Sequence, residues 1–325
     1  MEQQKISEFQ SGEHIRCYFI IDNVTAKTRK SGDPYLFFSF KDKSGKITGN
    51  FWNPGKGDFE GFFVGDIVFV EAVVETYSDK LMLNVGRLRK AGPSDDVTVR
   101  DLVKSSPKDG LTMYAEVTGT IEKLVENPDL KKITLAIYEA YKEDLIRYPA
   151  AISFHHAEIG GLLHHTLGVI KGCFYIWQAY KFLNKDLLLC GAALHDIGKI
   201  HEYELGDSGL IKQVSVDGNL VTHIVRGAMI VEDFGKRLEI DPEAVRLLTH
   251  MILSHHGVPE FGSSVTPKFP EAFILHEMDD IDAKLYEMED ALSGVDEGSM
   301  TERQRAFDDA RLYRSPLFNI SDEFQ

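Results

Sequence analysis

Two different hydrophobic periods divide this chain and limit the folds open to it. Over residues 1–91, aromatic and β-branched residues form short alternating runs, separated by turn sequences such as Asp42-Lys43-Ser44-Gly45. Five short strands with glycine at the turns favour a small closed barrel. Over residues 150–290 the apolar spacing is helical, with Gly and Pro at the breaks. We therefore predict an all-β barrel followed by an all-α helical bundle.

The predicted elements and domains follow from these two periods. Strands are expected at residues 15–24, 35–40, 47–52, 67–77 and 81–88. Helices are expected at residues 111–125, 130–147, 162–182, 185–194, 223–238, 242–254 and 270–288, with a short hairpin near residues 210–214. At about 150 residues per domain, a chain of 325 residues suggests about two domains. We expect the barrel at residues 1–91, a helical connector at 92–149, the bundle at 150–290 and a C-terminal helix or tail at 291–325.

The acidic charge of the chain is unevenly distributed. The first 91 residues hold 13 Lys and Arg against 12 Asp and Glu, whereas the other 234 residues hold 23 against 39. A protein that binds duplex DNA through a broad basic face would have a different balance. Acidity does not exclude nucleic acid, because divalent cations bound among carboxylates and histidines would reverse the local field.

Neither a membrane segment nor a disulfide framework is expected. The longest strongly apolar stretch, residues 187–194, has eight residues, whereas a bilayer-spanning helix needs about 20. The N-terminus lacks the basic and apolar regions of a secretory signal. Cys17, Cys173 and Cys190 each lie alone among apolar residues, which indicates reduced core thiols and a cytoplasmic location.

Aromatic residues are expected on both faces of the second strand. Alternation places Leu36 and Phe38 on one face, and Tyr35 and Phe37 on the other. With Trp52 from the next strand, Tyr35 and Phe37 are predicted to form an exposed platform on which single-stranded bases stack. The platform would be flanked by basic side chains, namely Lys27, Arg29, Lys30 and Lys56. Alternatively, these aromatics cap the barrel ends or contact the second domain.

Histidines and aspartates mark the helical region, which holds 11 of the 12 histidines. The informative positions fall near helix ends or in the turns that follow: His165, His195-Asp196, His223, His255-His256, and the acidic cluster Asp279, Asp280 and Asp282. Imidazole nitrogens with carboxylate oxygens suit Mn, Fe, Zn or Ni, and carboxylates can bridge two ions. Ligands on separate helices of a bundle can converge on one metal centre. A single His on an apolar helix is usually a core residue, but this many positions favour a metal centre.

These residues resemble a known family. The order His165, His195-Asp196 and Asp279 resembles the HD superfamily of metal-dependent phosphohydrolases, whose central signature is matched by Ala193-Leu194-His195-Asp196-Ile197-Gly198-Lys199. More narrowly, the chain is similar to the YhaM-type 3′-5′ exoribonucleases, in which an OB-fold precedes an HD domain. Three segments carry this similarity: His155-His156-Ala157 before Gly160-Gly161-Leu162-Leu163-His164-His165-Thr166, Leu253-Ser254-His255-His256-Gly257, and Glu271-Ala272-Phe273-Ile274-Leu275-His276 before Asp279.

The resemblance implies a role for each matching residue. It implies core metal ligation by His165, His195, Asp196 and Asp279, with Asp196 bridging two ions. It implies ligation of a second ion by His223, His255 and His256, and a contact of His156 with substrate or metal. Asp282 would either act beside the last ligand or be a supporting or surface carboxylate. The implied cofactor is a pair of divalent ions, Mn²⁺ first, with Fe, Co, Ni, Zn or Mg as alternatives.

Lys199 lies three residues after Asp196, so both side chains can face one pocket. We expect Lys199 to hold a phosphate oxygen and stabilise charge in the transition state, which makes Asp196 and Lys199 the predicted catalytic residues. The alternative is a salt bridge from Lys199 to Asp196 or Glu202.

The resemblance implies a metal-dependent 3′-5′ exoribonuclease that acts on single-stranded RNA. Single-stranded DNA is a further expected substrate. The protein is also expected to be able to form a homo-oligomer. Water activated by the metals would attack phosphorus, and no Walker loop or Rossmann fingerprint is present. One alternative is a phosphohydrolase of nucleotides or cyclic dinucleotides, although Gly257-Val258-Pro259-Glu260 lacks the Gly-Tyr-Pro element of cyclic-di-GMP-hydrolysing relatives. The other is a non-catalytic nucleic-acid-binding protein.

Overall fold

The computed structural model describes residues 3–55, 57–78, 80–103, 106, 108–150, 159–206, 209 and 211–317. The chain divides into two compact units. One unit comprises Met1–Ser105 with Leu205–Gln213, and the other comprises Ser106–Glu204 with Val214–Gln325. The four functional segments predicted from the sequence, residues 1–91, 92–149, 150–290 and 291–325, stay a proposal.

The first unit contains a closed five-stranded barrel. Its strands are β1 (His14–Thr28), β2 (Pro34–Asp42), β3 (Gly45–Phe51), β4 (Ile67–Tyr77) and β5 (Lys80–Lys90). The strand order is β1-β2-β3-β5-β4, and β4 also pairs with β1, which closes the barrel. Strands β3 and β5 run parallel, and the other pairs are antiparallel. This is the arrangement of an OB-fold, and the prediction of an all-β OB barrel is confirmed.

The barrel interior is filled by the inward positions of the alternating strands. Leu36, Phe38 and Phe40 on β2 are buried, and the rings of Phe38 and Phe40 stack with centroids 5.1 Å apart. Burying one such side chain stabilises the fold by about 1.5–3 kcal/mol. On β3, a Cβ at Gly49 would lie 3.1 Å from both the Cβ of Leu83 and the ring of Phe40. Glycine therefore leaves room for the neighbouring core side chains.

The remaining described chain is mainly helical. Its helices are α1 (Val99–Leu102), α2 (Gly110–Leu124), α3 (Pro128–Ala140), α4 (Lys142–Leu145), α5 (Gly161–Ala179), α6 (Lys185–Leu194), α7 (Lys199–Glu202), α8 (Val216–Leu220), α9 (Thr222–Arg237), α10 (Pro242–Ser254) and α11 (Pro270–Ser293). A hairpin of β6 (Tyr203–Leu205) and β7 (Ile211–Val214) interrupts them. The prediction of a helical bundle after the barrel is confirmed.

Helix α6 lies at the centre of the bundle, where α3, α5, α10 and α11 pack against it. Asn184 caps its N-terminus by accepting a hydrogen bond from Leu187 N, and the residues from Asp186 onwards are buried. A Cβ at Gly191 would lie 2.3 Å from the Met251 methyl group, so glycine permits the close approach of α10. The His-Asp pair at the end of α6 is consequently placed in the interior.

Two differences from the predicted elements concern residue 141 and the segment after residue 293. The helix expected at residues 130–147 ends at Ala140, because Tyr141 leaves the helical conformation and its ring packs near Phe234. The described residues after Ser293 contain no α-helix, so the helical alternative for the C-terminal segment is wrong there. Instead, Met300 and Gln304 form isolated bridges to Tyr313 and Ala310.

Two further sequence expectations concern helices and thiols. No helix within the described ranges is both long and apolar enough to cross a membrane. Cys17, Cys173 and Cys190 are buried and unbridged, as predicted from their apolar surroundings.

Candidate metal centre

Five helices of the second unit bring histidines and aspartates together in the interior. Helix α5 presents His165, the C-terminal end of α6 presents His195 and Asp196, and α9 presents His223 in its first turn. The end of α10 presents the adjacent pair His255-His256, and α11 presents Asp279. Five of these side chains belong to buried residues: His165, His195, Asp196, His223 and His255. Histidines and carboxylates of this kind are rarely buried without partners.

The first group consists of His165, His195 and Asp279, whose potential ligand atoms lie within 4.8 Å of one another. His165 Nε2 is 3.1 Å from His195 Nε2 and 3.0 Å from Asp279 Oδ1. Asp196 Oδ2 lies 3.7 Å from His165 Nε2 and 3.4 Å from His195 Nε2. Two nitrogens and two oxygens thus converge on one position.

The second group consists of His223, His255 and His256, whose potential ligand atoms also lie within 4.8 Å of one another. Asp196 Oδ1 is 3.6 Å from the Nε2 atoms of both His223 and His255. The two oxygens of Asp196 therefore face different groups. This is the arrangement required of a carboxylate that bridges two cations.

Hydrogen bonds at Nδ1 orient the rings. His195 Nδ1 donates to Ala192 O at 2.8 Å, and His255 Nδ1 donates to Ile252 O at 2.6 Å. The other two bonds run to carboxylates, from His165 Nδ1 to Asp282 Oδ2 at 2.7 Å and from His223 Nδ1 to Glu202 Oε2 at 2.6 Å. Because a carbonyl can only accept a hydrogen bond, Nδ1 of His195 and Nδ1 of His255 each carry a proton, which leaves Nε2 of each ring directed at the centre. Histidines that bind metals are normally held in this way.

Three buried atoms at the centre show how well it fits a cation. Asp196 Oδ1, His223 Nε2 and His255 Nε2 have no hydrogen-bond partner among the described residues. An unsatisfied buried polar group costs about 1–3 kcal/mol. A cation between these atoms would satisfy all of them, and their mixture of imidazole nitrogen and carboxylate oxygen suits divalent transition metals.

The carboxylates at the centre are charged. Burial alone would raise the pKa of Asp196, but Lys199 and His195 hold that pKa well below its usual value. Burial opposes ionisation of Asp279 as well, yet its hydrogen bond with His165 lowers the pKa of the Asp279 carboxyl. Burial lowers the pKa of His255, which keeps that ring neutral and able to donate a lone pair. The centre therefore combines negative oxygens with a neutral imidazole.

Lys199 is buried, and its Nζ lies 2.6 Å from Asp196 Oδ2. The salt-bridge alternative is thus realised with Asp196. It is not realised with Glu202, which accepts from His223 instead. Contact between Lys199 and a phosphate oxygen stays a prediction.

Two carboxylates behind the histidines were the least accessible to sequence reasoning. Asp282 supports His165 through Nδ1, which fits its alternative as a supporting carboxylate. The contact of Glu202 with His223 Nδ1 was not predicted from the sequence. An acidic residue three positions after the His-Asp-Ile-Gly-Lys motif is nevertheless a pattern from which such a contact could be predicted. His276 Nδ1 donates to His255 O at 2.8 Å and so holds the turn that carries the histidine pair.

The aromatic side chains of the predicted platform take the outward positions of the barrel strands, whereas Phe38 and Phe40 fill the interior. Tyr35, Phe37 and Trp52 are half-buried, and the rings of Tyr35 and Trp52 are 4.7 Å apart with an interplanar angle of 34°. Lys27 Nζ lies 3.5 Å from the centroid of Phe37, and the Arg29 guanidinium lies 4.9 Å from that of Trp52. Two of the four predicted basic side chains, Lys27 and Arg29, therefore lie beside aromatic residues of the platform. The predicted residues His156 and Lys56 lie outside the described residues.

Known proteins resemble this chain over nearly its whole length. The HD domain family model matches residues 162–284. The 3′-5′ exoribonuclease YhaM of Bacillus licheniformis is 34% identical over 309 residues, covering 95% of this chain and 96% of the relative. The YhaM protein of Listeria innocua is 31% identical over 320 residues, covering 97% and 99%. Among solved structures, a domain of replication protein A from Methanococcus maripaludis is 24% identical, covers 27% of this chain and 94% of its own length, and has a TM-score of 0.24.

The matched regions include both parts of the structure. The HD match spans every residue of the two ligand groups, from His165 to Asp279. The alignments to the two bacterial relatives cover almost all of each protein, so the barrel is included as well. The chain therefore belongs to the YhaM family of 3′-5′ exoribonucleases, and it is a hydrolytic nuclease built on an HD domain.

Proposed function

We propose that this chain is a metal-dependent 3′-5′ exonuclease that hydrolyses single-stranded RNA, with single-stranded DNA as a further substrate. The observation that carries the proposal is the position of Asp196, whose two oxygens face two separate groups of imidazoles. We assign His165, His195, Asp196 and Asp279 to one cation, and His223, His255, His256 and Asp196 to the other. Manganese is our first choice, and Fe, Co, Ni, Zn and Mg are the alternatives for this donor set.

Each group of side chains has its own role in the proposed hydrolysis of the phosphodiester bond. A pair of divalent cations supplies an activated water and neutralises phosphoryl oxygens. Asp196 links the two positions and fixes their spacing, while the hydrogen bonds at Nδ1 prevent the imidazoles from turning away. Lys199, already directed at the centre by Asp196, can shift its ammonium group to a phosphate oxygen and stabilise the charge that develops there. No side-chain nucleophile is required.

Chelation offers a direct test of this proposal. We expect the protein to lose activity on a labelled single-stranded RNA after EDTA treatment and dialysis, and to regain it on addition of Mn²⁺. Products should form a ladder that shortens from the 3′ end, and a 3′-phosphate block should slow the first cleavage.

Three results would argue against the proposal. One is unchanged activity after complete removal of metal, verified by elemental analysis. The second is an internal cleavage pattern that does not depend on the 3′ block. The third is turnover of free nucleotides or cyclic dinucleotides without shortening of RNA, which would favour the small-molecule phosphohydrolase.

The outer face of the barrel supplies a binding surface for the polymer. OB-folds bind oligonucleotides on the face that includes strands 2 and 3. In this chain that face carries Tyr35, Phe37 and Trp52 together with Lys27 and Arg29. Stacked bases and cations beside the phosphates would hold a single strand without strong sequence preference.

Replacing Trp52 by alanine is expected to raise the Kd for a single-stranded RNA of about 20 nucleotides by roughly tenfold, because one base–aromatic stack contributes about 1–3 kcal/mol. The rate of cleavage at saturating RNA should stay within about twofold of the parent. Fluorescence anisotropy and single-turnover kinetics measure the two quantities. Tyr77→Ala, which removes an exposed aromatic on β4, provides the matched control. Equal Kd values for parent and Trp52→Ala would remove the platform from the proposal.

A further inference from the structure

Glu202 holds His223 by two separate hydrogen bonds. Its Oε2 atom lies 2.6 Å from His223 Nδ1, and the same oxygen accepts from the backbone N–H of His223. Glu202 ends the short helix α7, so its carboxylate reaches back across the chain to the start of α9. One carboxylate thereby fixes both the ring and the backbone of one residue in the second ligand group.

The backbone next to His223 is strained. Thr222, immediately before it, has φ +65°, in the left-handed region. That conformation is a true outlier for a β-branched residue and costs on the order of 1–3 kcal/mol. Such strain persists only where surrounding contacts hold it, and the bond from His223 N–H to Glu202 is one of them. The position of His223 is therefore imposed by its surroundings.

Glu202 itself has a fixed place. Its carbonyl oxygen accepts from Ser215 N at 2.8 Å, and a Cβ on Gly218 would lie 2.4 Å from that same oxygen. The carboxylate behind His223 is consequently preorganised.

The two ligand groups have separate supports. Asp282 on α11 lies behind His165 in the first group, and Glu202 on α7 lies behind His223 in the second. A carboxylate behind a ligating imidazole fixes its orientation and increases its basicity, and losing it typically weakens metal affinity 10–100-fold. Because the supports come from different helices, each should act on its own group.

We propose that Glu202 is a positioning residue that sets the affinity of the second cation position, without setting that of the first. The inference rests on the proposed two-cation function. It adds that the two positions can be weakened one at a time, the second through Glu202 and the first through Asp282.

The test is a Mn²⁺ titration of the full chain, followed by elemental analysis and by electron paramagnetic resonance. The parent is expected to bind two ions and to give the signal of a coupled pair. Glu202→Gln should bind one ion as the parent does and the other 10–100-fold more weakly, with a mononuclear signal at one equivalent. Asp282→Asn should weaken the other ion instead. Glu122→Gln, an exposed carboxylate on α2, is the matched control and should leave both unchanged.

A double-mutant cycle identifies the ion that is affected. In a His223→Ala background, where the second group is already incomplete, Glu202→Gln should have little further effect on the remaining ion. The variant Thr222→Gly/Glu202→Gln separates the backbone role from the ring role, because glycine adopts the left-handed conformation without strain. It should fold like the parent and still bind the second ion weakly.

Each outcome has a distinct meaning. A parent that binds no ion would overturn the proposed function itself. A parent with two ions and a Glu202→Gln variant with unchanged affinities would overturn only the role of Glu202. Restoration of the second ion by Thr222→Gly would likewise overturn it, since Glu202 would then act on the backbone alone. Equal loss of both ions in a folded Glu202→Gln variant would contradict the independence of the two positions.

Discussion

Replacing Asp196 by asparagine is expected to lower kcat/KM on single-stranded RNA at least about a thousandfold, equivalent to about 4 kcal/mol of transition-state stabilisation. Asp196 is the one described side chain whose oxygens face both ligand groups. An amide has no net charge and offers only one acceptor oxygen, so it cannot serve both positions. Single-turnover cleavage together with the metal content of the purified variant measures the effect.

The control for this variant is Asp280→Asn. Asp280 lies on α11 next to Asp279, but its side chain is 44% exposed and its carboxylate pairs with Lys284 at 2.7 Å. It should retain both ions and a rate within about twofold of the parent. Thermal unfolding must accompany both measurements, because Asp196→Asn leaves the ammonium group of Lys199 without its ion-pair partner. A folded Asp196→Asn protein with two ions and a rate within tenfold of the parent would contradict the assignment.

The fold could be predicted from the sequence because apolar residues follow the period of a strand in the first part of the chain and the period of a helix in the second. Alternation in β2 placed Leu36, Phe38 and Phe40 inside, and the structure buries all three. Helices α6 and α10 have the bounds that Lys185–Leu194 and Pro242–Ser254 predict, since Asn184 and Asp241 cap their N-termini. The interruption at Tyr141 was not predicted, because it depends on packing against a helix almost 100 residues away in sequence.

Only part of the candidate site could be predicted from the sequence. His165, His195 and Asp279 could be selected because a motif fixes their order, and the structure brings them within 4.8 Å of one another. The supports could not be assigned in the same way. Whether Asp282 contacts the centre or the back of His165 depends on how closely α5 approaches α11, and a Cβ on Gly168 of α5 would lie only 1.8 Å from Asp282 Oδ1. Such a distance is set by tertiary packing and leaves no local pattern.

Part of the negative charge of the chain lies at the candidate metal centre, where it affects the binding of phosphate. Carboxylates of Asp196, Asp279, Asp282 and Glu202 surround the histidines, either facing them or supporting them. Without cations, this charge would repel an approaching phosphate. With two divalent cations it would attract one. We therefore expect RNA to bind the helical unit only when metal is present, whereas the outer face of the barrel needs no metal for binding.

Replacing Gly198 by alanine is expected to disable the second ligand group although Gly198 is not a ligand. A Cβ at this position would lie 2.0 Å from the carbonyl oxygen of His223 and 2.8 Å from Gly227 N. Both obstacles are backbone atoms of α9, so the helix itself must move. Overpacking of this kind typically costs about 1–3 kcal/mol. We expect a lower Tm, weaker binding of the second ion, and a loss of activity on the order of a hundredfold.

The matched control is Gly119→Ala in α2, where a Cβ would meet nothing within 4 Å. A helical Gly-to-Ala change with open space around it should stabilise the protein by about 0.5–1 kcal/mol. Differential scanning calorimetry and Mn²⁺ titration of the two variants separate a general glycine effect from contact with His223. If Gly198→Ala binds both ions like the parent, the prediction is wrong. The close contact between Gly198 and the backbone of α9 would then not be needed to position His223. If it unfolds fully, adding Gly119→Ala should restore part of the stability but not the second ion, because only Gly198 borders His223.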